Sequence, residues 1–417
     1  MTNYIQLALR NIRRHKNRSL VTILTICLGF TALGVLGGVV TNIFSRLKGQ
    51  AIIVEKLGHL TFAKSGYFEN HKMEPEAYLW DEKELTDILT ILKEDSEVTL
   101  ATPRLSLFGV ASNGKASTIF ITEAVVPEDD KKLIQTVVDG RKGIANMVTI
   151  DEETAAKGKV AIGSELSENL GLKKGAYLTL LTTTKEGMAN AADATVENVY
   201  NTGNPATNDK FILTRFDLAQ ELYDTRGAER IVVLLKDPDK IDAARTRLLA
   251  KISKAGYAVE ARSWKERSLF YGRVTTMFGI IFRVLIVIIT VVVLLTLLNT
   301  MQMAVSERTR EIGTMRAIGM LRRKVIAIFC IEGVVMAFLG CLLAVPVLLG
   351  LSALLEVLEV SFIPPVGSSP VPITLLFKPF NIVLVLVLFT GAALVSSFLV
   401  SRKIARQPVI DSLLKIN

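Results

Sequence analysis

Residues 284–306 read VLIVIITVVVLLTLLNTMQMAVS, and residues 307–324 follow at once as ERTREIGTMRAIGMLRRK. The first part is 23 positions without a charge; the second carries eight charges in 18 positions. A hydrocarbon core of about 30 Å needs about 20 apolar residues in a helix, so the first part is long enough to span a membrane. Three more stretches share this property: Ser19–Ser45 with 27 charge-free positions, and Gly333–Leu355 and Pro379–Ser401 with 23 each. They account for a chain that is 50% hydrophobic with a mean hydropathy of +0.40. Four spans are expected. The first is too long for the apolar segment of a secretory signal and has no A-x-A cleavage site after it.

The net charge of +9 resolves once it is divided. Arg46–Arg273 balances at −2, and the remainder carries +11. The excess lies beside the spans: Arg10, Arg13, Arg14, Lys16 and Arg18 before the first, Arg308 to Lys324 between the second and third, and Arg402, Lys403 and Arg406 after the fourth. Lysine and arginine are retained on the cytoplasmic side during insertion. Both termini and the second connection are therefore expected inside, with residues 46–273 and the third connection outside. No basic surface is left to bind nucleic acid. The three cysteines, Cys27, Cys330 and Cys341, lie in or beside spans, so no disulfide framework is expected in the outer domain.

The expected fold class is an α-helical membrane protein with four transmembrane helices plus a mixed α/β extracytoplasmic domain of two subdomains. The expected order is an amphipathic cytoplasmic helix at 1–18, on which Tyr4, Leu7, Ala8 and Ile12 share a face, and the first span at 19–45. The outer domain follows at 46–273, the second span or stalk at 274–306, and a cytoplasmic connection at 307–324. The third span at 325–355, an outer loop at 356–378, the fourth span at 379–401 and a tail at 402–417 complete the chain.

Within the outer domain, Asp81 and Glu84 form a capping-box pattern ahead of Leu85, Ile88, Leu89 and Leu92 at helical spacing. Asn113-Gly114 between Val98–Ala111 and Ala116–Glu123 signals a hairpin. Arg230–Leu235, the stripe Ile241, Ala244, Leu248 and Ile252, and Tyr257–Ala261 read as strand, helix and strand, a βαβ unit. Loops at Gly140–Gly143 and Asn201–Asp209 suggest a middle subdomain inserted into an outer one. The prolines Pro364, Pro365, Pro370 and Pro372 make the third connection an irregular cap.

Catalytic chemistry is not expected. Gly109, Gly114 and Lys115 imitate a phosphate loop, but Ala116 replaces the hydroxyl that would hold magnesium, and the segment lies between two strands. His15, His59 and His71 have no metal-ligand spacing, and no nucleophile motif is present. No metal or cofactor is assigned to the chain.

Two charges inside or beside spans stand out. Arg283 is near the outer end of the second span, where its stem can reach the interface. Glu332 lies within the third span, where pairing with a basic residue or capping a neighbouring helix is the expected role. Gly34 with Gly38, and Gly333 with Ala337 and Cys341, are small-residue pairs that let helices approach closely, in a bundle or a dimer. In the second connection a helix would align Ile312, Met315 and Gly319, with Glu311 and Arg316 beside them. This modest apolar face suits docking into the groove of a soluble partner.

The same segment resembles the FtsX/MacB/Lol superfamily of ABC transporter permeases. Their pattern after the second span, N-x-M-x-x-x-V-x-E-R-x-x-E-I-G-x-x-R-A-x-G, is met by Asn299, Met301, Val305, Glu307, Arg308, Glu311, Ile312, Gly313, Arg316, Ala317 and Gly319, with Glu332 and Gly333 following. Ala8–Asn11, Ile162–Leu166, Leu170–Gly175 and the ending Ala405–Leu413 are also similar.

The resemblance implies a MacB-like periplasmic core and a bacterial inner-membrane location. It implies a second permease, identical or not, and a separate ABC ATPase that binds the ATP and docks on the 307–319 segment. ATPase closure would be passed through the second-span stalk to the outer domain. The architecture is similar to Lol-type stand-alone permeases rather than to MacB, which carries its own ATPase domain. The jobs implied are release of lipoprotein-like amphiphiles, tripartite efflux with a periplasmic adaptor, or signalling to cell-wall enzymes.

Overall fold

The computed structural model describes Arg10 and residues 16–138, 158–202, 205–362 and 371–405. The expected amphipathic N-terminal helix, the Gly140–Gly143 loop, Pro364, Pro365 and Pro370, and the 406–417 ending lie outside the described residues. The chain divides into two compact units: residues 45–274 with 362–371, and the remainder.

Helix α1 (Lys16–Gly49) leads into a π-helical turn, Gln50–Val54, and then into the first unit. Its elements run β1 (Leu60–Lys64), α2 (Glu82–Lys93), β2 (Val98–Ser112), β3 (Ser117–Val125), α3 (Pro127–Val138), β4 (Lys159–Gly163) and α4 (Ser164–Leu170). They continue as β5 (Tyr177–Thr183), β6 (Ala189–Tyr200), β7 (Phe211–Arg215), α5 (Phe216–Tyr223), β8 (Arg230–Leu235), α6 (Ile241–Lys254) and β9 (Val259–Ser263).

The capping box forms at α2. The Glu84 amide donates to Asp81 Oδ1 at 2.7 Å, and the Asp81 amide donates to Glu84 Oε2 at 3.2 Å. Leu85, Ile88 and Leu92 are then buried on one face. At the tip of the β2–β3 hairpin, Asn113 Oδ1 accepts from the amides of Lys115 and Ala116, and Gly114 takes φ +84°. The phosphate-loop look-alike is thus a β-turn. Gly109 is required for another reason: a Cβ there would lie 2.0 Å from the Leu181 carbonyl oxygen of the neighbouring strand.

Two substructures share β2. Its first half joins an open sheet in the order β2-β8-β1-β9, with every neighbouring pair antiparallel. Strands β1 and β2 are therefore parallel but separated by β8, with α2 between them in sequence. Likewise β8 and β9 are parallel but separated by β1, with α6 between them. This corrects the simple βαβ expectation: the two units interlock as split βαβ motifs, a ferredoxin-like arrangement. Strand β8 is buried along its whole length. Ile231, Val233 and Leu235 face the α2/α6 core, while Val232 and Leu234 face Ile52, Ile53, Leu57 and Trp264.

The second half of β2 closes a ring, β2-β3-β7-β4-β6-β5, in which β5 returns to β2. Its interior is filled by Leu107, Phe120, Val160, Ile162, Leu178, Leu180, Val196 and Ile212, with α4 and α5 contributing Leu166 and Leu218. The ring is inserted between β2 and β8. In the expected Asn201–Asp209 loop, Pro205–Asn208 forms one helical turn.

A chain of buried charges lies beside this shared strand. Lys56 Nζ donates to Asp130 Oδ2 at 2.8 Å with both side chains fully buried. Arg104, also fully buried, lies 3.6 Å from Asp130 and 4.0 Å from Glu123. Arg230 binds Glu123 and Glu229. Burial pushes the Lys56 ammonium below its ordinary value, against the pull of Asp130.

The second unit is helical: α1 with α7 (Leu269–Glu307), α8 (Thr309–Ala317), α9 (Arg322–Val357) and α10 (Pro379–Ala405). Among the described residues four helical stretches are long and apolar enough to cross a membrane: Ser19–Val54, Phe270–Glu307, Arg322–Val357 and Pro379–Lys403. Small residues make the crossings. A Cβ at Gly34 would meet Leu348, at Gly340 Ile26, and at Gly29 Val293. Ala337 and Cys341 are buried in the same core as Cys27, Phe30 and Phe389. Arg283 is exposed, and its Nε donates to the Gly279 carbonyl at 3.0 Å.

Candidate functional site

The junction of α7, α8 and α9 gathers most of the residues marked by the sequence. Helix α7 ends at Glu307, and Arg308 leaves helical geometry with φ −98° and ψ 13°. The break is chemically fixed. Thr309 Oγ1 donates back to the Ser306 carbonyl at 2.6 Å, and Arg308 Nη1 donates to Glu332 Oε2 at 3.1 Å. Glu332 therefore pairs across to the residue at the bend, with side-chain exposures of 8% for Arg308 and 6% for Glu332. A buried pair of this kind costs desolvation, but removing one partner costs more, so it fixes geometry rather than adding stability.

Helix α8 ends as firmly as it begins. The Gly319 amide donates to the Arg316 carbonyl at 3.1 Å and the Met320 amide to the Met315 carbonyl at 3.0 Å. With Gly319 at φ +95°, this is a Schellman closure, in which glycine avoids the left-handed penalty. Met315 and Met320, the apolar pair that accompanies such a closure, both pack on Val305, Ile312, Val325 and Phe329.

This packing corrects the docking-groove reading of the apolar stripe. Ile312 is 1% exposed against the chain's own α7 and α9, and Gly313 is buried with it. The stripe seats α8 on the bundle. The face left open carries Arg310, Glu311, Thr314 and Ala317, continued by Ile318 at 82% and Leu321 at 65% exposure. Glu307 is exposed and Arg316 half-buried at its margins. The periodicity of Ile312 and Met315 marked a face but not what covered it. Val305, Val325 and Phe329, at spacings of seven and four, were the available signal.

Gly333 is the next residue along α9 after Glu332. A Cβ there would stand 2.0 Å from Ser397 Oγ and 3.3 Å from Met301 Cε. It is the contact point of α9 with α10. Ser396, Ser397 and Ser401 are buried in that crossing, and sequence reasoning did not single them out. Asn299 is not part of this junction; it is exposed on α7. Among the described residues no group of three or more His, Cys, Asp or Glu is placed to hold a metal.

A four-helix membrane bundle that carries a two-part α/β domain between its first and second spans, and a rigidly capped helix between its second and third, defines a polytopic integral membrane protein. Residues 19–251 match the MacB-like periplasmic core domain, and residues 283–409 match the FtsX-like permease C-terminal family. The chain belongs to the FtsX/MacB/Lol-type family of ABC transporter permeases.

It is 22% identical over 353 residues to the lipoprotein-releasing system transmembrane protein LolC of Neisseria meningitidis, covering 81% of this chain and 79% of that one. It is 28% identical over 177 residues to the macrolide export ATP-binding/permease protein MacB of Agrobacterium fabrum, covering 42% of this chain and 26% of that one. It is 32% identical over 120 residues to the ABC transporter permease YtrF of Bacillus subtilis, covering 28% of this chain and 27% of that one. Among solved structures, the periplasmic region of MacB from Actinobacillus actinomycetemcomitans aligns with a TM-score of 0.36 and 11% identity, covering 50% of this chain and 90% of that one.

Proposed function

We propose that this permease transmits the motions of a separate cytoplasmic ABC ATPase to its extracytoplasmic domain, and that the work is done on lipoprotein-like or other amphiphilic substrates. In this reading the termini and the 307–324 connection are cytoplasmic, in keeping with the placement of lysine and arginine. The ATPase meets the open face of α8, with Glu311 on it and Arg316 at its edge, and ATP is bound by that partner rather than by this chain.

The observation that carries the reading is the Arg308–Glu332 pair. It fixes the bend between the stalk helix α7 and α8, so a displacement of α8 is delivered to α7 and α9 rather than lost in a soft loop. The amphiphile assignment is supported by the LolC likeness, which extends over 79% of that protein, against 26% for MacB. Efflux through an adaptor and regulation of cell-wall enzymes are the competing jobs.

The test is affinity purification in mild detergent, followed by protein and lipid mass spectrometry. Co-purification of an ATPase that is lost in Glu311→Ala/Arg316→Ala, with membrane insertion unchanged, is the expected result. An undiminished complex and turnover in that variant would remove the docking assignment. A helical-hairpin adaptor in place of acylated material would favour efflux.

A further inference from the structure

A recess of about 300 Å³, open to its surroundings, lies between α1 and the start of α10 in the helical unit. Its floor is apolar, with Phe30 and Leu33 from α1 and Ile382 and Val385 from α10. Three glycines of α1 line it, and they differ. A Cβ at Gly34 would meet Leu348, and one at Gly38 would meet Leu375 and Phe377, so close packing accounts for both. A Cβ at Gly37 would meet nothing within 4 Å. The bundle leaves the space beside Gly37 unfilled.

Water has little to hold it there. The Gly37 carbonyl accepts the Thr41 hydroxyl at 2.7 Å. The Gly38 carbonyl accepts the Leu376 amide at 3.2 Å, which lays the 375–378 segment across α1. A buried water needs about two to four polar partners, and the floor offers none. Among the described residues the polar side chains lining the recess are Lys378 and Asn381, at the head of α10, and no hydrogen bond or ion pair engages either. Gly38 lies seven positions before Ser45, where the extracytoplasmic unit begins, about 10 Å along the helix axis. The recess therefore belongs to the outer half of the first span.

We propose that this recess holds one acyl chain of an anionic phospholipid of the outer leaflet, with the Lys378 ammonium and the Asn381 amide on its phosphate. The occupant is argued from surroundings and charge. A span is bathed in hydrocarbon, and an empty apolar void forfeits the dispersion contacts that an acyl chain would restore. An ammonium without a counter-charge at the mouth favours an anionic head over a zwitterionic one. A partner helix fits less well, because the 375–378 segment bars the groove at Gly38. The inference depends on the spans and not on the docking of an ATPase.

Native mass spectrometry of the full-length chain in mild detergent tests it, with phosphatidylglycerol or phosphatidylethanolamine of the same acyl chains as probes. The unmodified chain should retain one phosphatidylglycerol. Gly37→Leu should lose it, because the new side chain takes the place of the acyl chain without crowding a neighbour. Gly391→Leu, at an equally uncrowded glycine of α10 outside the recess, should keep it. Lys378→Gln should lower the preference for phosphatidylglycerol about fivefold. Lipid retained in Gly37→Leu, or lost equally in Gly391→Leu, would overturn the site. Equal retention of the two phospholipids by the unmodified chain would overturn the anionic occupant, as would a diacylated peptide that displaces phosphatidylglycerol and stays bound in its place. Should Gly37→Leu fail to accumulate, the exposed Lys378 still decides the matter: an unchanged preference in Lys378→Gln overturns the proposal.

Discussion

Arg308 Nη1 donates to Glu332 Oε2 across 3.1 Å, joining the residue at the end of one membrane helix to the interior of the next. The two are 24 positions apart, and a capped nine-residue helix stands between them. Bend, helix and return therefore form one closed unit, in which every turn of backbone is tied to a neighbour.

Breaking half of that pair should be worse than removing it. Glu332→Gln leaves a buried guanidinium without its counter-charge and should lower stability by about 3 kcal/mol. Arg308→Met combined with Glu332→Met should recover most of the loss. Thermal unfolding of the detergent-purified chain, followed by size-exclusion monodispersity, gives both values. Equal loss in the single and double variants would show that the pair is not the organising contact.

Gly319 makes a prediction about coupling. A β-carbon at φ +95° costs about 1 kcal/mol or more, and the Schellman closure would loosen. Gly319→Ala should therefore reduce ATPase stimulation while leaving the expression level and the melting temperature of the extracytoplasmic domain unchanged.

The Gly333–Ser397 contact can be read by a cycle. Gly333→Ala forces Ser397 Oγ to move, since that atom would stand 2.0 Å from the new carbon. A loss of about 1–2 kcal/mol is expected. Ser397→Ala removes the obstructing atom, which has no hydrogen-bond partner among the described residues, so the double variant should regain stability. Strict additivity of the two changes would contradict the contact.

The extracytoplasmic domain should weaken in mild acid through His59. Burial, aided by Lys48, lowers this imidazole from 6.5 to about 4, and its Nδ1 accepts the Leu235 amide at 3.0 Å. The fold holds the neutral ring. Its contribution is complete above pH 6.5, is lost as pH falls from 6.5 toward 4, and amounts to about 2–3 kcal/mol. Asp95, held below the ordinary carboxylate value first by Arg247, adds stability that is lost only at still lower pH. The two tryptophans of the chain, Trp80 and Trp264, are both buried in this domain, so their fluorescence reports it selectively. His59→Gln should flatten the dependence between pH 6.5 and 4; an unaltered slope would place the acid sensitivity elsewhere.

What was legible in the sequence was local. The Asp81–Glu84 box, the Asn113-Gly114 turn, the α6 stripe and the four spans each depend on residues within a few turns of one another, and all of them form. The strand order was not legible. The partner that separates β8 from β9 is β1, about 170 residues earlier, and no periodicity encodes that distance. The Lys56–Asp130 pair, 74 positions apart, was hidden for the same reason. At the α7–α9 junction, a structural role for Glu332, pairing or capping, was readable from its cost in a membrane, whereas the choice of Arg308 depends on where the bend falls.

Arg104 and Arg230 are register partners on β2 and β8, so the chain enters and leaves the six-stranded ring at adjacent points of one ladder. The strands between them, β3 to β7, form a cassette whose two ends are already stitched together. Such a cassette can be exchanged, enlarged or redecorated over evolutionary time while the scaffold beneath keeps its shape.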